Sequence, residues 1–367
     1  LKRAFPTIPK TDKFVAILFD ALADYGANNS VEPRAISATC EHTNAHFRHL
    51  KKSIFQWPNG TGAEVSRAPI TLGSMKPAQE SRYIGYYLAV SALWGVPYLF
   101  VSIAVKEISV PVIVFTRVFI GALILIPLAL REGSLRVPRS SYKYITLYAI
   151  FEMFIPWTLI SDGQKKVSSG LAGLLIATVP IWANLLAALA GDRSVRHPRQ
   201  VSGIVLGFLG VVALVGVDSF MESHDLVAIL KILFSAFSYA FATFMAARHL
   251  TGVAGVAVNG LAMALTSIVF FIPAMQSLPT KMPSIAALFS LLALGLLCTA
   301  LAFYYFFTLL RLIGAPKAST VTYPNTAIAI ALGVILLNEP VTTGMLIGFP
   351  MVLLGSYLAT SRSKGLA

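Results

Sequence analysis

Ten apolar segments follow one another from Ser81 to the C-terminus, and the last five echo the first five. The echo holds a nearly constant offset. Ser91-Ala92 recurs as Ser235-Ala236 and Pro180 recurs as Pro324, each 144 residues on. Ile126-Pro127 recurs as Ile272-Pro273 after 146 residues, and Gly203 and Gly210 recur as Gly348 and Gly355 after 145. An odd number of spans per copy makes the second copy enter a membrane from the opposite side. The expected fold is therefore an all-α integral membrane protein: ten transmembrane helices in two five-helix inverted-topology repeats, an architecture common among secondary transporters.

The expected spans are 84–104, 111–130, 144–162, 170–190, 200–217, 226–248, 253–274, 286–308, 317–337 and 341–360. Crossing a bilayer takes ~20 apolar residues per helix. Only 12% of the residues are charged and 56% are hydrophobic. A soluble domain carries about twice that charge fraction. The segments are rich in Leu, Ala, Gly, Val and Ile and show no strand-like alternation, which excludes a barrel of ~10-residue alternating strands. Glycines within the spans suit close helix packing. Gly203, Gly207 and Gly210 fall at helical spacing in an apolar run and read as packing positions, not as a phosphate loop.

The net charge of +13 is explained by its distribution. With the N-terminus inside, fourteen Lys and Arg residues from Lys76 onward lie on the inner side and four on the outer. The positive-inside rule then predicts a multi-pass protein of the cytoplasmic membrane with both termini cytoplasmic. No basic stripe has the aromatic interleaving of a single-strand binder, so no nucleic-acid partner is expected. The two cysteines, Cys40 and Cys298, form no disulfide framework.

Residues 1–74 differ in kind. They hold nine of the 29 basic residues, three of the six histidines and no methionine, Met75 being the first. They read as a tail, either disordered or an over-extended gene call ahead of a start at Met75. The apolar run Phe14–Phe19 is too short for a signal peptide. His42 and His46 share a helix face and Cys40 and His49 lie nearby, but no second ligand cluster exists, and no metal or other cofactor is expected.

Several patterns fall in register with the repeat. Ser91-Ala-Leu-Trp94-Gly95 opens the first span, and Arg117 in the second is followed by Val-Phe-Ile-Gly-Ala. Leu171 to Pro180 is an Ala/Leu-rich run into proline, Gly333 to Glu339 ends the ninth span at an acid, and Gly348 to Gly355 spaces glycines in the last. On these patterns residues 83–361 resemble the drug/metabolite transporter superfamily, specifically EamA-type permeases, with one copy at 83–217 and a second at 226–361. The first copy departs from the family in ending its fourth helix with Gly191-Asp192-Arg193, where Gly-Glu-Arg or Gly-Glu-Lys is usual. The resemblance implies transport and leaves the cargo open.

An inverted repeat places its binding site near the bilayer midplane, between the halves. Candidate substrate-binding residues are therefore polar or aromatic and well inside spans: Trp94, Glu152, Trp157, Asn184, Tyr239, Tyr304, Tyr323 and Asn325. Glu152 is the deepest acid, and intramembrane acids face a cavity or a partner. The aromatics suit apolar or cationic cargo, or simply pack between helices. Pro180 and Pro324 are candidate hinges, because proline breaks the local helix bond and the nearby Asn184 and Asn325 supply amides to the freed carbonyls. Those amides could equally do nothing more than satisfy the carbonyls. Arg117, six residues into the second span and nearer its outer side, reads as a structural anchor of the two halves or a snorkelling residue at the outer interface, with a substrate carboxylate as the alternative.

No Ser/His/Asp or Cys/His set lies within the spans, so no enzyme is expected. The expected function is a secondary transporter that moves a small organic solute, an amino acid or similar metabolite, by alternating access. The alternatives are a multidrug or toxic-metabolite exporter, or a channel or scaffold without carrier activity. Partners would be the solute, the lipid bilayer and protons, with a homodimer left open.

Overall fold

The computed structural model describes residues 77–192, 197–219, 223–313 and 318–360. The readings made of residues 1–74, including the Cys40, His42, His46 and His49 group, fall outside them. Every regular element among the described residues is helical. Seven stretches are long and apolar enough to cross a membrane: Tyr83–Ala104, Val110–Arg131, Arg139–Gly163, Ser169–Leu189, Leu226–His249, Gly255–Gln276 and Ile285–Ile313. Three further apolar helices, Pro198–Leu214, Thr322–Leu337 and Thr343–Ala359, are shorter.

Local chemistry sets the helix ends. Ser168 caps Ser169–Ile176 by accepting from the Leu171 N–H, and Ser284 caps Ile285–Gly295 by accepting from the Ala287 N–H. Asn338 ends Thr322–Leu337 in the left-handed region, with φ +53° and its N–H on the Gly333 carbonyl. The ninth apolar segment starts with a 3₁₀ turn, Ser319–Val321, before its α-helix. That turn is why the segment expected over 317–337 is shorter as an α-helix.

The packing is its own image when the two copies are exchanged. Counting apolar segments in chain order, the second packs on the seventh, the fourth on the ninth and the fifth on the tenth. The third packs on the sixth as the eighth does on the first. The fourth packs on the sixth as the ninth does on the first. A two-repeat fold related by a pseudo-two-fold axis fits this pattern.

The local irregularities repeat as well. The third segment is Tyr142–Ala149, then a π-helical stretch Ile150–Phe154, then Ile155–Gly163. The eighth is Ile285–Gly295, then a π-helical stretch Leu296–Leu301, then Ala302–Ile313. Each π stretch inserts an i→i+5 turn, a feature frequent at functional sites. Position 152 of the first copy corresponds to 298 of the second, so Glu152 and Cys298 occupy matched places.

The sequence leads one to expect helix breaks at Pro180 and Pro324, and the structure puts them ahead of each proline. The helix Ser169–Ile176 ends before Ala177 and Thr178, and Val179–Leu189 restarts with Pro180 in its first turn. Pro324 likewise lies in the first turn of Thr322–Leu337, after the 3₁₀ turn. Proline's missing N–H costs nothing there, because first-turn donors have no partner within the helix.

Candidate functional site

The matched π stretches frame a polar cluster at the seam of the copies. Arg117, on Val110–Arg131, reaches across it. Its Nε donates to Thr299 Oγ1 at 2.8 Å. Thr299 belongs to the second π stretch, is fully buried, and donates in turn to the Leu294 carbonyl five residues back at 2.8 Å. The Arg117 guanidinium carbon sits 3.7 Å from the centroid of the buried Trp157 ring, a cation–π contact. Arg117 thus ties the second segment to the third and to the eighth, and the anchoring role read from the sequence has a concrete geometry.

Tyr239 feels two opposite charges. It is within electrostatic reach of both Arg117 and Glu152. Arg117 and Glu152 do not pair with each other among the described residues. Glu152 Oε2 is enclosed and has no hydrogen-bond partner there. Tyr148, one turn before Glu152, donates to Asn259 Oδ1 at 3.3 Å. Asn259 Nδ2 donates to the Gly255 carbonyl at 3.0 Å. Tyr98 and Cys298 complete the surroundings of Arg117.

Arg117 and Glu152 each keep part of their surface accessible, whereas Trp157, Tyr148, Cys298 and Thr299 around them are buried. The chemistry available is a cation, an acid, hydroxyls and aromatic faces, the group types that hold a polar solute. A separate groove on the outer face of Pro198–Ser219, lined by Pro198, Val201, Val205 and Leu209, is almost entirely apolar and lies away from these charges.

Of the residues singled out in the sequence, Glu152, Trp157 and Tyr239 are brought together. Trp94 packs at the edge, its ring 5.6 Å from Phe303 and 4.6 Å from Phe306. Asn184 lies apart, its Nδ2 donating to the Pro180 carbonyl at 2.8 Å, the merely satisfying role weighed against binding. Asn325 is buried, its Oδ1 3.2 Å from Thr326 Oγ1. Its backbone carbonyl faces Gly95, where an added Cβ would stand only 2.7 Å away. Tyr323 is half-buried in the first turn of Thr322–Leu337. Tyr304 is 42% exposed. It points away from the cluster, because depth along a span does not decide which face a residue occupies. Sequence reasoning missed Tyr98, Tyr148, Asn259, Cys298 and Thr299. The repeat offset applied to Glu152 was the available signal for the last two.

Ties between the copies also close one end of the bundle. The Glu107 carboxylate accepts from the Ser284 N–H and hydroxyl, both at 2.6 Å. Ser109 Oγ donates to the Ser277 carbonyl at 2.8 Å. Lys231 pairs with Asp162 at 2.5 Å. Glu339 accepts from the Ser169 and Gly170 N–H groups at 2.7 and 3.0 Å, at the start of a helix where an anion is favoured. Gly333 leaves room for that carboxylate, since a side chain there would collide with it. At the other end Arg311 pairs with Glu132 at 3.2 Å and Tyr87 donates to the Thr320 carbonyl at 3.0 Å. The Ser284 hydroxyl first, and then its N–H, hold the Glu107 carboxyl below the usual carboxylate range. That tie is complete above the ordinary carboxyl pKa and is lost as pH falls through the depressed value.

The EamA-like transporter family pattern matches the chain twice, over residues 81–216 and 226–361. Among relatives, the uncharacterized transporter YoaV of Bacillus subtilis is 23% identical over 279 residues, covering 74% of this chain and 94% of YoaV. The uncharacterized inner membrane transporter YedA of Escherichia coli is 23% identical over 253 residues, covering 68% and 81%. Protein PagO of Salmonella typhimurium is 29% identical over 144 residues, 38% of this chain and 46% of its own. Among solved structures, a crystal structure matches with a TM-score of 0.55 at 19% identity, covering 76% of this chain and 96% of its own, a likeness of fold. With both copies matched and several helices of membrane-spanning length, this chain is a multi-pass membrane protein that belongs to the EamA-like transporter family.

Proposed function

We propose that the chain is a secondary carrier that moves a small organic solute, an amino acid or similar metabolite, across the cytoplasmic membrane by alternating access. The observation that carries this reading is the cluster of Arg117, Tyr239 and Glu152 at the seam of the copies, framed by matched π stretches. A site between two pseudo-symmetric halves can be exposed to either side by rocking one half against the other. In this reading all ten apolar helices cross the bilayer and both termini are cytoplasmic, as the charge asymmetry requires. Reporter fusions after residues 140, 195 and 361 then report cytoplasm, and fusions near 165 and 221 report the outside. A cytoplasmic signal near 221 would overturn the ten-span arrangement.

A second reading, export of cationic drugs or toxic metabolites, is favoured by one feature: an unpartnered acid, Glu152, beside the aromatic faces of Trp157 and Tyr239. Both readings require a carrier. Full-length protein in proteoliposomes should show saturable uptake of a labelled solute that is accelerated by unlabelled solute on the opposite side. Uptake with no such acceleration would identify a channel. The screen that names the solute runs over amino acids, purines, vitamins and cationic drugs.

The breaks ahead of Pro180 and Pro324 are the proposed flexing points of the halves. Pro180→Ala and Pro324→Ala should each lower the transport rate by about two- to tenfold with protein levels unchanged, since strained or unusual backbone at a moving element is worth roughly 1 kcal/mol or more. Wild-type rates in both variants would assign the prolines to packing alone.

A further inference from the structure

We infer that Arg117 binds a carboxylate of the transported solute and that Thr299 is its positioning residue, an inference that rests on the carrier reading above. The first support is what Arg117 lacks. A guanidinium deep in a membrane bundle is costly unless it is paired. Yet the three ion pairs among the described residues are Asp162–Lys165, Asp162–Lys231 and Glu132–Arg311, and none includes Arg117. Its Nε is used on Thr299, while its two terminal nitrogens make no hydrogen bond among the described residues and are not enclosed. Two parallel N–H donors left open in this way match the two oxygens of a carboxylate.

The second support is how firmly that fork is aimed. Trp157 holds one face of the guanidinium at 3.7 Å. Thr299 fixes the Nε edge at 2.8 Å, and its hydroxyl proton is committed to the Leu294 carbonyl, so its oxygen can only accept from Arg117. The π stretch makes this possible, because Leu294 lies five residues before Thr299, not four. Gly121, one helical turn after Arg117, leaves the room for it: a Cβ there would come within 2.9 Å of the Thr299 methyl. With one edge and one face fixed, the terminal nitrogens have one direction left.

The third support is the separation of charges. Arg117 and Glu152 both bear on Tyr239 but not on each other. Arg117 thus has no acid to neutralise it among the described residues, and an anionic group of the solute would supply one.

The test uses the full chain in lipid nanodiscs and benzoate, benzamide and benzylamine, which share a ring and differ in charge. Phenyl phosphate serves as a second anion. Calorimetric titration should show benzoate bound more tightly than benzamide by the wild type. Arg117→Gln should weaken benzoate by about tenfold or more, the effect of one lost charge-assisted pair, and leave benzylamine unchanged. Thr299→Val should weaken benzoate and Thr299→Ser should restore it, with benzamide unmoved by either. This pair decides the matter if Arg117→Gln does not fold, and Arg117→Lys keeps the charge while losing the fork. Equal affinity of the wild type for benzoate and benzamide, or unchanged benzoate binding in the Arg117 and Thr299 variants, would overturn the inference. Phenyl phosphate bound better than benzoate would overturn the carboxylate assignment. Benzoate discrimination without any counterflow in proteoliposomes would leave Arg117 as an anion site and refute the carrier reading instead.

Discussion

Gly355→Ala should strip the fold of its tightest helix pair. The fifth and tenth apolar helices, Pro198–Ser219 and Thr343–Thr360, approach until backbone meets backbone. A Cβ on Gly355 would stand 2.5 Å from the Gly207 nitrogen, 2.6 Å from its Cα and 2.7 Å from the Gly203 carbonyl oxygen. Ordinary contact is about 3.4–4 Å, and backbone atoms cannot rotate out of the way as a side-chain tip can. The partner helix must therefore move, and overpacking of this kind costs roughly 1–3 kcal/mol or more. In detergent the melting temperature should fall by roughly 2–10 °C, with early aggregation on size-exclusion chromatography. The matched control is Gly85→Ala, where nothing lies within 4 Å of the added carbon. There alanine's better helix propensity, worth up to ~1 kcal/mol, should leave the protein as stable or more so. Equal melting of the two variants would show that the close approach is not needed. The small residues let van der Waals contact do what a hydrophobic driving force cannot do in lipid.

The sequence makes this seam readable because Gly203, Gly210, Gly348 and Gly355 recur at one offset and at helical spacing. The spans are readable for the same reason: apolar length is a property of the chain alone. Glu152 is readable because an acid in an apolar run has few explanations. The faces are not. Tyr304 and Tyr239 look alike in sequence, each deep in a span, yet one is 42% exposed and the other is within electrostatic reach of Arg117 and Glu152. Near-uniform hydrophobicity hides which stripe of a membrane helix faces its neighbours, because lipid accepts the same residues as the core. The π stretches leave no mark in composition either. They become visible only in the helix geometry, where the Thr299 hydroxyl reaches the Leu294 carbonyl five residues back while its oxygen accepts from Arg117. Even so, the repeat offset of 144–146 residues leads from Glu152 to Leu296–Cys298, and the matched π stretches single out Cys298 and its neighbour Thr299.

That same correspondence gives Glu152 its weight. The two π stretches match in place, but only the first carries an acid, and the second has a thiol at the equivalent position. The copies are alike in packing and unlike in charge, as a carrier needs if one solute is to bind one way round. Glu152 Oε2 is enclosed without a hydrogen-bond partner among the described residues, while the rest of the side chain keeps some accessible surface. A buried acceptor left unsatisfied is costly. It is satisfied at once by a proton, or by an ammonium group of the solute. Glu152→Gln keeps the size and much of the hydrogen-bonding capacity and removes both options. Hydrogen bonds to charged groups contribute about 1.5–3 kcal/mol, so transport at low solute concentration should fall by roughly 10- to 100-fold, with normal protein levels. Whatever pH dependence the wild type shows between mildly acidic and mildly alkaline buffers should flatten, because the titrating group is gone. Glu152→Asp, which keeps the charge on a shorter arm, should recover part of the rate and all of the pH dependence. A Gln variant that transports at the wild-type rate across that range would make Glu152 a structural residue. Binding would then have to be carried by Arg117, Tyr239 and the aromatic walls alone.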